Sequence, residues 1–173
     1  GVELVALSDR TKSKADVLAR KYYVPSVYDD VQQLLETERL DFVDIITDVD
    51  THAPITEAAA RKGIAVICQK PMAPTLSAAI KMVGVCRIQH VPFFIHENFR
   101  WQAPIRKLKS LLDSEVIGKV FKARVTFCSA FPVFENQPFL AELNEFILTD
   151  IGSHTLDICR FLFGEVDKLL CHT

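Results

Sequence analysis

Apolar positions along this chain begin as short unbroken runs separated by amphipathic stretches and end in a looser alternation. Residues 64–68 (Ile-Ala-Val-Ile-Cys) are five consecutive apolar positions rich in β-branched side chains. They predict a strand buried on both faces. This strand runs directly into Gln69, Lys70 and Pro71, which puts a lysine at the carboxyl edge of a buried sheet, where open α/β folds bind ligands. On position alone, a solvated lysine in a strand-to-helix loop is the commoner case. Before it, residues 4–7, an extended piece over 24–28 and residues 42–46 read as strands. Helical spacing falls between them: Val17, Leu18 and Tyr22; Val31, Leu34 and Leu35; and the stretch 55–62 bracketed by Pro54 and Gly63. Thr11 or Ser13, Asp29 and Thr75 are the expected helix caps. A helix over 76–89 and a strand over 91–96 complete this half. Strands alternating with helices of this length predict a doubly wound parallel sheet.

Near Asn98 the pattern changes. Residues 105–112 are amphipathic, whereas 120–131 set Val120, Lys122, Arg124 and Thr126 against Phe121, Ala123, Val125 and Phe127. Such alternation predicts a strand with one solvated face in an antiparallel sheet. After a loop over 132–138, Asp150 leads into a helix ending before Gly164, and 166–170 starts another strand. Two domains are therefore expected, 1–98 and 99–173.

Composition narrows the functions. With 20 basic and 22 acidic residues the net charge is −2, which gives no field for nucleic acid or an anionic membrane surface. No apolar run approaches the ~20 residues of a membrane span. The five cysteines, at 68, 86, 128, 159 and 171, contain no Cys-x-x-Cys pair. They read as reduced, buried thiols of a cytoplasmic protein. No histidine pair has metal-ligand spacing, so no metal site is expected.

The candidate chemistry is sparse. Asp9 ends one strand and precedes a helix, the place where a dinucleotide fold uses an acid to accept from ribose hydroxyls. An acid favoured by the helix dipole explains that position equally well. Arg10 beside it suits a 2′-phosphate, so NAD is favoured and NADP stays open. Asp150, His154 and Asp157, spaced i, i+4 and i+7, share one side of a helix and its leading turn. A carboxylate one turn from an imidazole can orient it or share a substrate hydroxyl; taken alone, a cap and a satisfied histidine are the commoner pattern. The six glycines, at 1, 63, 84, 118, 152 and 164, form no Gly-x-Gly-x-x-Gly. The chain is expected to open just after the strand and glycine turn that normally hold the pyrophosphate. Residues 4–7 and 42–46 should then not pair directly, and these 173 residues alone should not make a stable cofactor-binding domain.

Taken together, the strand ending in Lys70-Pro71, the run Glu97-Asn-Phe-Arg-Trp101 and the stretch Asp150-Ile-Gly-Ser-His-Thr-Leu-Asp157 resemble the Gfo/Idh/MocA family of NAD(P)-dependent sugar and polyol oxidoreductases. The resemblance covers nearly the whole chain and about half of a usual member. It implies a Rossmann domain followed by part of an α/β domain with a mostly antiparallel sheet, through which homo-dimers or tetramers form. It implies a catalytic trio, Lys70, Asp150 and His154, converging on one cleft. It further implies cofactor contacts from Asp9, Arg10, Thr47, His52, Gln69 and Lys70. The substrate would be a sugar, sugar acid or polyol, and Arg100, Trp101, Gln137 and Asp150 are the candidate pocket residues. Two positions depart from the family pattern: Gln69 stands where a glutamate is usual, and Asp48-Val49 where Pro-Asn usually follows the threonine. Gln69 keeps open a non-catalytic sugar or dinucleotide sensor on the same fold; the joint retention of Lys70, Asp150 and His154 favours the enzyme.

Overall fold

The computed structural model describes residues 1–142 and 145–172. The chain divides into two compact units, Gly1–His96 and Glu97–Thr173.

In the first unit strands and helices alternate: β1 (Ala6–Ser8), α1 (Lys12–Tyr22), β2 (Ser26–Tyr28), α2 (Val31–Thr37), β3 (Phe42–Ile45), α3 (Val49–Arg61), β4 (Ala65–Gln69), α4 (Leu76–Ile88) and β5 (Phe93–His96). Every ladder is parallel. β2 pairs with β1, and β3, β4 and β5 form a second ladder in that order. No ladder joins β1 to β3, in line with the expectation that these strands are not direct neighbours. The unit is Rossmann-like, with a parallel sheet and crossover helices.

The core is built on β4. Val66 and Cys68 are completely buried and join Leu34, Leu35, Ile45, Ala59 and Met82 in one cluster. Burying one such Val or Met side chain contributes about 1.5–3 kcal/mol. The alternate residues Ala65 and Ile67 are only half-buried. The expectation of a strand buried on both faces therefore holds for one face.

Several local expectations shift, each for a physical reason. In α1 the buried residues are Ala15 and Ala19, whereas Val17, Leu18 and Tyr22 are exposed; two small side chains one turn apart let the helix approach β1 and β2 closely. Thr11 precedes α1 without capping it, and its N–H instead donates to Asp9 Oδ1 at 2.7 Å. Asp30, not Asp29, caps α2, accepting from the Gln32 N–H at 2.8 Å. α3 starts at Val49, so Pro54 lies inside the helix and not at its first position. Thr75 caps α4 as expected, accepting from the Ala78 N–H. Of the five cysteines, all free, only Cys68 and Cys86 are buried, and Cys128 and Cys171 are exposed.

The second unit contains a 3-10 turn (Phe99–Trp101), α5 (Ala103–Asp113), the short α6 (Val133–Asn136), a 3-10 turn (Pro138–Glu142), a π turn (Leu148–Gly152) and α7 (Ser153–Phe163). α6 lies where the sequence predicts only a loop. Among the described residues this unit forms no strand, so the strands expected over 120–131 and from 166 are not present as such. A strand exists through a neighbour that takes its N–H and C=O groups. Without that ladder both sides of the alternating segment stay open, and Phe121 is 97% exposed. α7 buries His154, Ile158 and Leu162 as one stripe at four-residue spacing. No helix among the described residues is long and apolar enough to cross a membrane.

Two outcomes test this core. Thr56 Oγ1 is buried and, among the described residues, has no hydrogen-bond partner. An unsatisfied buried hydroxyl costs about 1–3 kcal/mol, so Thr56→Val should raise the urea midpoint with an unchanged m value. Burial, and then the Asp44 carboxylate, push the Cys68 thiol from 9.0 up to about 12. The unfolded chain releases this proton near 9 and the folded chain near 12, so the stability present below pH 9 is lost as pH rises between those values. The wild type should therefore lose up to about 1.4 kcal/mol per pH unit more than Cys68→Val across this window in urea titrations.

Candidate functional site

The carboxyl ends of the parallel strands deliver most of the first unit's candidate residues. Asp9 follows β1 and is exposed; its Oδ1 accepts from Thr11, and among the described residues its other oxygen accepts nothing. Arg10 reaches from the same loop to the loop after β3, where its Nη2 lies 2.6 Å from Asp48 Oδ2. Both side chains of this pair are largely exposed, so its strength is modest and salt-dependent. Asp48, one of the two departures from the family pattern, is thus the partner of the arginine that suits a 2′-phosphate.

A second cluster links the ends of β3 and β4. His52, in the first turn of α3, is 1% exposed. Its Nε2 lies 3.0 Å from the Thr47 carbonyl oxygen, and its Nδ1 lies 3.1 Å from that of Pro71 and 3.3 Å from that of Met72. Thr51 Oγ1 sits 2.6 Å from Thr47 Oγ1 and 2.7 Å from the Asp48 carbonyl oxygen, so this loop is pinned at two points. His52 ties the Thr47 loop to the backbone just beyond Lys70. Its ring is enclosed by backbone, which makes it a strap between two loops more than a surface for a ligand. Gln69 turns back on its own strand end: its Oε1 accepts from the Lys70 N–H at 2.9 Å and its Nε2 lies 3.4 Å from His96 Nδ1. Lys70 is half-buried, and its peptide bond to Pro71 is cis.

In the second unit the centre is His154. Its imidazole is 8% exposed, and Nδ1 contacts Oε1 of Glu97, itself 12% exposed. The same oxygen accepts from the Phe99 N–H at 3.3 Å. The Phe99 ring stacks on the imidazole, with centroids 4.0 Å apart and planes 8° apart. Nε2 makes no hydrogen bond among the described residues. Asp150 lies in the π turn, four residues before His154, and is half-buried. Gly152 in that turn lies against the Leu148 side chain, whose Cδ1 a Cβ would meet at 3.0 Å.

Three of the expected pocket residues, Arg100, Trp101 and Gln137, make contacts of their own. Arg100 is committed to Asp157: Nε donates to Oδ2 at 2.7 Å, Nη2 contacts Oδ1, and the guanidinium lies 5.3 Å from the Phe161 ring centre. Asp157 raises the Arg100 pKa above its ordinary value, chiefly by this hydrogen bond. Trp101 is 63% exposed, with the Arg106 guanidinium 5.7 Å from its ring. Gln137 is exposed at the end of α6. Sequence reading gave Glu97 no role, because it lies 57 positions from His154. Its local signals are its place just after β5, as Asp9 follows β1, and its membership of the run Glu97–Trp101.

Parallel strands with crossover helices and side chains gathered at their carboxyl ends define a Rossmann-like α/β unit, here followed by a second unit. Residues 1–97 match the model of the oxidoreductase family with an NAD-binding Rossmann fold, and residues 105–173 match the GFO/IDH/MocA C-terminal domain. The chain belongs to this GFO/IDH/MocA family. It is 44% identical to a D-apiose dehydrogenase of Paraburkholderia graminis over 173 residues, all of this chain and 46% of the relative. It is 42% identical to a D-apiose dehydrogenase of Rhizobium rhizogenes, again over all of this chain and 50% of that protein. Among solved structures, an oxidoreductase from Agrobacterium radiobacter in complex with NAD+, L-tartaric acid and magnesium superposes with a TM-score of 0.91 at 42% identity. That match covers 94% of this chain and 47% of the other. The chain spans about half the length of the curated relatives it matches.

If His52 is the strap between the two loops, His52→Phe should leave the facing carbonyls without a donor and lower stability by about 2–3 kcal/mol. Urea unfolding of the full-length protein measures this, and a change below experimental error would remove the strap.

Proposed function

We propose that this protein is an NAD-dependent dehydrogenase acting on the CH–OH group of a sugar or polyol, with D-apiose the first substrate to test. The observation that carries the reading is the buried His154 imidazole, with Nδ1 on a carboxylate and Nε2 without a partner, four residues after Asp150. The 44% identity to a D-apiose dehydrogenase along the whole chain supports the substrate class.

The residues present fit the adenosine-ribose and nicotinamide ends of a dinucleotide. Asp9 keeps one exposed carboxylate oxygen for ribose hydroxyls, and a carboxylate there accepts from a 2′-hydroxyl and repels a 2′-phosphate. Arg10, already paired with Asp48, offers less to such a phosphate, which supports NAD over NADP. Thr47, Gln69 and Lys70 would line the nicotinamide side, with His52 behind them. A nicotinamide cofactor held there would supply the acceptor for the carbinol hydride.

The chain's own groups handle the proton and the charge. His154 Nε2 accepts the proton of the reacting hydroxyl as general base. The Lys70 ammonium donates a hydrogen bond to the same oxygen and stabilises developing alkoxide charge. Asp150 accepts from a neighbouring hydroxyl and orients the sugar. Arg100, tied to Asp157, supports the start of the second unit, with Trp101 and Gln137 as outer contacts. The same reading makes the protein a homo-oligomer of the cytoplasm, where the five free thiols stay reduced.

In the full-length protein, NADH formation at 340 nm should appear with D-apiose ahead of myo-inositol or glucose, and more strongly with NAD than with NADP. Lys70→Ala should lower kcat by about 10²–10³-fold while calorimetry finds NAD binding intact. Absence of turnover across a sugar and polyol panel, with NAD still bound, would turn the reading to a sensor.

A further inference from the structure

The contact between Glu97 and His154 has consequences beyond the family assignment. Three groups meet at one carboxylate oxygen and one ring. Oε1 of Glu97 contacts His154 Nδ1 and also accepts the Phe99 N–H. Phe99 in turn lies flat against the imidazole. Both partners are nearly buried, so water competes poorly for either. The carboxylate is therefore fastened by backbone, and the ring is fastened by the carboxylate and the phenyl face.

The hydrogen-bond chemistry then sets the tautomer. An ionised carboxylate only accepts, and a neutral imidazole has one donor nitrogen and one acceptor. With an acceptor against Nδ1, the ring proton must sit there, which leaves the lone pair on Nε2. We infer that Glu97 is a positioning residue of the reaction: it holds His154 as the Nδ1–H tautomer, with Nε2 presented as the base, and this rests on the base role proposed above. In the step, the substrate O–H bond breaks and an N–H bond forms at Nε2. The resulting imidazolium faces the Glu97 carboxylate. Glu97 is also among the charges that raise the Arg100 pKa, after Asp157.

The experiment separates Glu97's part from His154's. In long-range ¹H–¹⁵N spectra of ¹⁵N-histidine-labelled, full-length protein, neutral His154 should show a protonated Nδ1 and a bare Nε2. The reverse pattern overturns the inference without any substitution. Glu97→Met keeps the volume and removes the acceptor; kcat should fall by about 10²–10⁴-fold, as for a histidine base deprived of its orienting carboxylate, with KM and NAD affinity unchanged. Glu97→Gln can turn an amide N–H to Nδ1, which moves the ring proton to Nε2, so it should reverse the signature and lower kcat by about 10²–10⁴-fold. Should Glu97→Met fail to fold, the wild-type spectrum and Glu97→Gln still decide. Wild-type kcat in a folded Glu97→Met or in Glu97→Gln overturns the positioning role. Wild-type kcat in His154→Ala would instead remove the base role, while the spectrum still reports on Glu97.

Discussion

The register of β4 is the constraint on which the first unit depends. Parallel ladders on both sides align Ile45 with Cys68 and Cys68 with Ile95, and Gln69 with His96. The alternation of the pleat then buries Val66 and Cys68 completely. A one-residue slip would carry those side chains to the half-covered face and Ile67 into the closed core. The same register carries Gln69 and Lys70 to the edge of the sheet. Core packing and the position of the lysine are therefore one decision, made by one strand.

What the strand delivers, the loops secure. His52 converts the gap between two strand ends into a bonded unit, since a single ring faces carbonyls from both loops. Gln69 fastens the backbone of Lys70 from its own side chain. A neutral amide suffices for that fastening, which gives the departure from the usual glutamate a structural reading. Arg10 and Asp48 bridge the loops after β1 and β3 by charge, where no ladder joins those strands. In the second unit the equivalent work falls to Glu97 and Phe99, which hold one imidazole from its edge and its face.

Where expectation and structure part, the reason is the same: a pattern states which residues can be buried, and a partner decides which are. The apolar residues of α1 at helical spacing are exposed, and two alanines make the packing, because close approach to the strands favours the smallest side chains. The alternation over 120–131 is a strand pattern without a ladder among the described residues, since the backbone groups of a strand are satisfied only by a neighbour. Pro54 marked a helix boundary in the sequence, yet α3 extends a turn further because Asp48 and Thr51 organise its start.

The sequence by itself determined the alternation of strands and helices, the core strand ending in Lys70 and the cap of α4. All of these are local: period, propensity and spacing act within a few residues. Tertiary structure alone decided that Glu97 meets His154, that Asp157 takes Arg100, that Asp48 pairs with Arg10 and that His52 is enclosed by carbonyls. The first three join segments 38 to 57 positions apart, and His52 reaches from Thr47, five positions away, to Met72, 20 positions away. No local periodicity encodes such a meeting, because it depends on where the folded backbone brings two loops or two helices together.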